Sequence, residues 1–89
     1  MKHRYLEVTF RKGKPLAAYL YLPHAAGMRA TSTADGGHGT RVDLDDHGVA
    51  IGIEITDPST VSITQLNELL VKYGVTPLES EEWAPLAAA

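Results

Sequence analysis

Apolar and polar positions alternate along most of this chain, most regularly between Thr40 and Asp57. Val42 and Leu44 fall on one face of the first run, with Arg41 and Asp43 on the other. In the second run Val49, Ile51, Ile53 and Ile55 share a face, and Ala50, Gly52, Glu54 and Thr56 share the opposite one. Asp45-Asp46-His47-Gly48 punctuates the two runs. Period-two alternation rich in Ile and Val, broken by a Gly-containing turn, predicts a β-hairpin with one buried face.

Arg4 to Phe10 alternates in the same way, and after the polar turn Arg11-Lys12-Gly13-Lys14 so does the run from Pro15 to Pro23. Proline is tolerated at the first residue of a strand. These runs predict a second hairpin whose inward face is Leu6, Val8, Phe10, Leu16, Leu20 and Leu22. Its opposite face carries Tyr5, Tyr19 and Tyr21. Aromatic cross-strand neighbours stabilise a sheet, and Tyr is enriched at protein interfaces, so these three are the candidate interaction face. Arg29 to Ala34 alternates Thr and Ser in a pattern suited to an exposed or edge strand. Asp35-Gly36-Gly37-His38-Gly39 reads as a turn. It lacks the Gly-Lys-Ser/Thr spacing and the following apolar helix of a phosphate-cradling loop.

Asp57-Pro58-Ser59 then breaks the strand, and the periodicity changes. Ser62 and Gln65 fit a capping box, Ile63, Leu66, Leu69, Leu70 and Tyr73 follow at helical spacing, and Gly74 is placed to end the helix. Glu68 stands four before Lys72 as a supporting pair. Thr76-Pro77-Leu78-Glu79 has the form of a second helix start, with Leu78, Glu81, Glu82 and the lone Trp83 in a turn or two before Pro85. Leu86-Ala87-Ala88-Ala89 is expected to fray. The predicted fold is α+β, an antiparallel β-meander of four to five strands with one C-terminal α-helix packed on its apolar face. Residues 1–75 form the domain, and 76–89 an extension, either a short helix or a frayed tail.

Composition narrows the classes. The 89 residues are 44% hydrophobic and 21% charged, ordinary for a globular domain. A net charge of −3 argues against direct nucleic-acid binding, which draws on clustered Lys and Arg. The basic residues gather only near the start, at Lys2, Arg4, Arg11, Lys12 and Lys14. The absence of cysteine removes disulfides and thiolate chemistry and fits a reducing compartment. No apolar run approaches the ~18 residues of a membrane span, and the first residues lack the apolar core of a signal peptide. A cytoplasmic protein is the expectation.

Candidate chemistry is sparse. Asp43, Asp45, His47, Gly48 and Glu54 occupy the spacing of an EF-hand loop. The flanks alternate with period two where that motif needs helices, and His is a poor calcium ligand, so an acidic exposed turn is the reading. His3, His24, His38 and His47 show no ligand-pair spacing, and no metal or cofactor is expected. Glu7, Glu54 and Asp57 are the acid–base candidates. Glu54, beside Gly52 on the non-core face of the most apolar strand, is the foremost, and with Asp57 it makes the candidate polar site. No nucleophile–base constellation accompanies them, so no catalytic residue is assigned and the expectation leans away from an enzyme.

Val42-Asp43-Leu44-Asp45-Asp46-His47-Gly48-Val49-Ala50-Ile51-Gly52-Ile53-Glu54-Ile55 resembles the signature of a small prokaryotic family, domain of unknown function 2283. Asp57-Pro58-Ser59 is similar to that family's Asp-Ala-Ser ending. Val8-Thr9-Phe10 and Ala18-Tyr19-Leu20-Tyr21-Leu22 are similar more loosely. Arg11-Lys12-Gly13-Lys14 departs from the acidic residues usual between those strands, and the resemblance runs only from about Leu6 to Ser59. It implies a compact β-rich domain without an assigned activity, and some members are encoded beside small ribonuclease-like toxins. The functional expectation is therefore a protein–protein interaction or regulatory, antitoxin-like module, acting as a homodimer or on a small protein partner. The Leu-Ala-Ala-Ala end, like those read by bacterial proteases, would suit a labile regulator. The alternatives are a small-molecule or metal-binding domain or enzyme using Glu54 and Asp57, and nucleic-acid binding by the basic N-terminal hairpin.

Overall fold

A computed structural model describes residues 3–25 and 27–87. Five strands form one antiparallel sheet: β1 (Tyr5–Arg11), β2 (Lys14–Tyr21), β3 (Ser32–Gly37), β4 (Thr40–Leu44) and β5 (Ala50–Ile55). Their spatial order is β1-β2-β5-β4-β3. The chain thus makes the β1–β2 hairpin, crosses to the far edge, and returns as the meander β3–β4–β5 until β5 closes against β2. A 3-10 turn (Pro58–Thr60) leads to helix α1 (Ile63–Lys72), and α2 (Ser80–Ala87) ends the fold. The architecture is the predicted α+β, with two helices rather than one.

The centre of the sheet faces a single core. Leu20, Leu22, Val42, Ile53 and Ile55 are almost wholly buried in one cluster with Leu66 and Leu70 of α1 and Leu78, Trp83 and Leu86 of the C-terminal segment. Both helices therefore lie on the same face of the sheet. The predicted extension is part of this core from Leu78 to Leu86, and the tail residues Ala88 and Ala89 lie outside the described residues.

Local signals place α1 as expected. Ser62 Oγ accepts from Gln65 N–H at 3.1 Å, while Ser62 N–H donates to Gln65 Oε1 at 2.9 Å, completing the capping box. At the other end Gly74 adopts a φ of 75°, and Val75 N–H reaches back to Leu70 O at 2.8 Å, a left-handed cap that a Cβ would strain. Glu68 and Lys72 do not pair as expected. Lys72 Nζ instead lies 5.8 Å from the centre of the Tyr73 ring. The start of α2 is three residues later than predicted. Glu82 accepts from Glu79 N–H at 3.0 Å, so Glu79, not Thr76, holds the cap position of this helix and Glu82 reaches back to it. The Arg4 guanidinium clamps the same Glu82 carboxylate at 2.8 and 2.9 Å and donates to the carbonyls of Thr76 and Pro77. Asn67 Oδ1 accepts from Leu78 N–H at 2.7 Å and Asn67 Nδ2 donates to Leu78 O, tying the same connection to α1.

Three β-bulges account for the positions where alternation misleads. In β5 the register passes from Asp43–Gly52 to Leu44–Ala50, so Ile51 is an extra residue and the facing reverses beyond it. Ala50 consequently enters the core, and Val49, expected inside, is 55% exposed. In β2 the extra residue is Leu16, which is exposed; Phe10, its expected core companion at the hairpin tip, is exposed too, although β1 carries no bulge. In β3 it is Gly36, where a Cβ would collide with Thr40 and with Leu69 of α1. That close approach carries β3 through Asp35-Gly36-Gly37, leaving only His38 and Gly39 as the turn that the sequence placed over all five residues.

Trp83 tests whether the C-terminal segment belongs to the core. Trp83→Ala should lower the unfolding free energy by about 3–5 kcal/mol in urea titrations. A frayed appendage would leave it unchanged.

Candidate functional site

Because both helices cover one face, the opposite face of the sheet carries the odd-numbered side chains of the N-terminal hairpin. Register places Tyr5, Tyr21, Gly52, Asp43 and Thr33 in one row across all five strands, and Glu7, Tyr19, Glu54, Arg41 and Asp35 in the next. The rings of Tyr5 and Tyr21 stack with centroids 4.5 Å apart, and Tyr19 and Tyr21 sit tilted at 4.6 Å. Tyr21 OH donates to Glu7 at 3.2 Å. The tyrosines proposed from the sequence therefore form one cluster, with the Tyr5 ring 51% exposed at its edge.

Tyr19 reaches furthest. Its ring lies over Gly52, where any Cβ would run into the ring and its hydroxyl, and it ends 2.5 Å from Asp43 Oδ2, to which the hydroxyl donates. Gly52 is the one glycine of β5, and its missing Cβ leaves the space that the Tyr19 ring fills, the arrangement by which an aromatic covers a strand glycine. Burial, reinforced by the hydrogen bond to Asp43 and its charge, pushes the Tyr19 phenol well above its ordinary value of 10.0. Burial and the neighbouring Glu7 push Tyr21 in the same direction. Glycine inside an alternating run signals close approach, but nothing in the run itself names Tyr19 as the ring that arrives.

Glu54 and Asp57 have separate surroundings. Glu54 is exposed on the sheet face, with Tyr19 on one side and Arg41 on the other. Asp57 caps the 3-10 turn instead: its Oδ1 accepts from Ser59 N–H at 3.2 Å and Ser59 Oγ at 2.6 Å. The turn between β4 and β5 likewise has a structural role. Asp45, expected in an exposed acidic turn, is 7% exposed, and its Oδ1 accepts from the N–H groups of His47 and Val49 at 2.8 and 2.9 Å. Those bonds, Val49 first, hold its carboxyl below the usual range. Among the described residues, Asp45, Asp46 and His47 form the group whose ligand atoms lie within 4.8 Å of one another. One Asp45 oxygen is committed to the backbone and His47 pairs with Asp46 at 3.0 Å, an arrangement explained by the turn. The four histidines sit before β1, after β2 and in two separate turns.

Of the basic residues near the start, Arg4 is bound to Glu82, Arg11, Lys12 and Lys14 are exposed at the hairpin tip, and Lys2 lies outside the described residues. No helix among the described residues is long and apolar enough to cross a membrane. No model of a known protein family matches the chain, and no curated protein or solved structure matches it.

Two measurements check this geometry. Gly52→Ala should cost about 1–3 kcal/mol through the clash with Tyr19, and most of that cost should vanish in a Tyr19→Ala background, as a double-mutant cycle would report. Because the folded-state pKa of Tyr19 is raised, its contribution to stability is complete below pH 10 and lost as pH rises beyond it. In ultraviolet titration of the folded protein, wild type and Tyr19→Phe should give the same absorbance change up to that pH. A smaller change in the variant would show that Tyr19 ionises normally.

Proposed function

We propose that this chain is a protein-interaction module whose working surface is the helix-free sheet face, centred on Tyr5, Tyr19 and Tyr21. The observation that carries the reading is the placement of both helices on one side of a five-stranded sheet, which leaves an aromatic cluster flanked by charged groups in solvent. Tyr supplies large, rigid contact area with a polar end, the chemistry enriched at interface cores. The row Glu7, Tyr19, Glu54, Arg41, Asp35 adds charges of both signs around it, suited to fixing the orientation of a partner. A prokaryotic regulatory role of the antitoxin type, in the cytoplasm and in complex with a small protein or a second copy, is the specific form of this reading. It draws on the resemblance over Val42 to Ser59 and on a fold that needs no disulfide. The alternative polar site loses support because Asp57 is engaged as a turn cap.

Affinity capture from the native host, comparing wild type with Tyr21→Ala and Tyr5→Ala/Tyr21→Ala, tests this. The expected result is one stoichiometric partner retained by wild type and reduced at least tenfold by the double variant, with circular dichroism unchanged. Capture of no partner, or equal capture by the variants, would overturn the proposal.

A further inference from the structure

The geometry points to a second copy of this chain as the occupant of the β1 edge, paired antiparallel so that two five-stranded sheets become one of ten. This names a partner within the interaction reading but uses a different surface from the tyrosine face, so the two stand or fall separately.

The two edges of the sheet are not equivalent. β3 is interrupted by the bulge at Gly36, a device that discourages edge pairing. β1 runs seven residues without proline, and the bulge in its hairpin falls on β2, leaving β1 itself regular. An unbroken edge strand is a template for strand addition. Two further features lie along it. Phe10 is 53% exposed although it shares a face with Leu6 and Val8, since α2 meets β1 at the opposite end, around Arg4 and Leu6. At that covered end an open cleft of about 160 Å³ is lined by Tyr5, Leu6, Leu20, Leu78 and Pro85, with Arg4 and Glu82 at its rim.

A two-fold axis through Val8 brings these together. It sets Leu6 of one copy opposite Phe10 of the other, so each Phe10 ring meets the cleft beside the other copy's Leu6, twice by symmetry. Leu6, Val8 and Phe10 belong to one alternate set along the strand, so all three present their backbone groups in the same direction. On the outer face Tyr5 lies opposite Arg11, and Glu7 opposite Thr9. Charge agrees with this register. The exposed basic tip, Arg11, Lys12 and Lys14, is carried to the acidic start of the other copy's α2, at the exposed Glu79 and Glu81. Arg4, opposite Lys12 in this pairing, is already neutralised by Glu82.

Sedimentation and cross-linking of the full chain test the pairing. Wild type should show a concentration-dependent dimer that weakens with added salt. Phe10→Glu, at a side chain already half exposed and therefore expected to stay folded, should raise the dimer dissociation constant at least tenfold. Since the chain contains no cysteine, Glu7→Cys mixed with Thr9→Cys should form a disulfide-linked dimer on mild oxidation, whereas Glu7→Cys alone should form far less. A monomer at every soluble concentration overturns the inference, as does a dimer indifferent to Phe10→Glu with no cross-link in the mixture. If Tyr21→Ala abolishes partner capture while these results are negative, the edge pairing falls and the interaction reading stands. If the dimer and its cross-link appear while Tyr21→Ala leaves capture unchanged, the reverse holds.

Discussion

The sheet has one face to bury, and the burial of Ile53 and Ile55 on that face governs the remainder of the molecule. These residues belong to β5, which pairs on both sides, with β2 through Leu20 and Ala18 and with β4 through Val42 and Thr40. Their burial with Leu66 and Leu70 fixes which face α1 must cover. Once α1 lies there, Leu78, Trp83 and Leu86 complete the same cluster, and Arg4 and Asn67 hold the connecting segment in place. A single core of this size can cover only one side of a sheet. The other side is left to polar and aromatic side chains.

The bulge at Ile51 links that constraint to the candidate site. It lets Ala50 and Ile53, which simple alternation would put on opposite faces, both serve the core, while Gly52 and Glu54, beyond the bulge, keep the open face that alternation gives them. Gly52 then admits the Tyr19 ring, whose hydroxyl reaches Asp43 across the central strand. A sheet face that would otherwise be a row of separate side chains becomes an ordered cluster, with Tyr5 and Tyr21 stacked beside it. Rigid aromatic surface loses little side-chain entropy on binding, which is why such clusters suit recognition.

Several polar groups that look chemically suggestive in the chain are occupied in building turns. Asp45 organises the β4–β5 turn through two backbone N–H groups, and Asp57 caps the 3-10 turn through Ser59. Glu82 is held below the usual carboxylate range by the Arg4 guanidinium and the Glu79 N–H. Asp45 and Glu82 therefore contribute stability that is fully present above the ordinary carboxylate range and is lost as pH falls below that range through their lowered folded-state values.

The sequence by itself determined the elements whose signals are local: two hairpins by alternation, α1 by its capping box and terminal glycine, and the gathering of Tyr5, Tyr19 and Tyr21 on one face by parity. These depend on neighbours within a few residues, so the order of side chains suffices. Only the tertiary structure decided the placement of β5 between β2 and β4, the three bulges, the inclusion of Trp83 in the core, and the exposure of Phe10 and Val49. Each depends on contacts between segments distant in the chain. A bulge inserts one residue and reverses every facing beyond it, which no periodicity read along a single strand anticipates. Gly52 shows the division most clearly. The run from Ala50 to Ile55 marks it as unusual, but only the arrival of Tyr19 from a strand thirty-odd positions earlier explains why no side chain fits there.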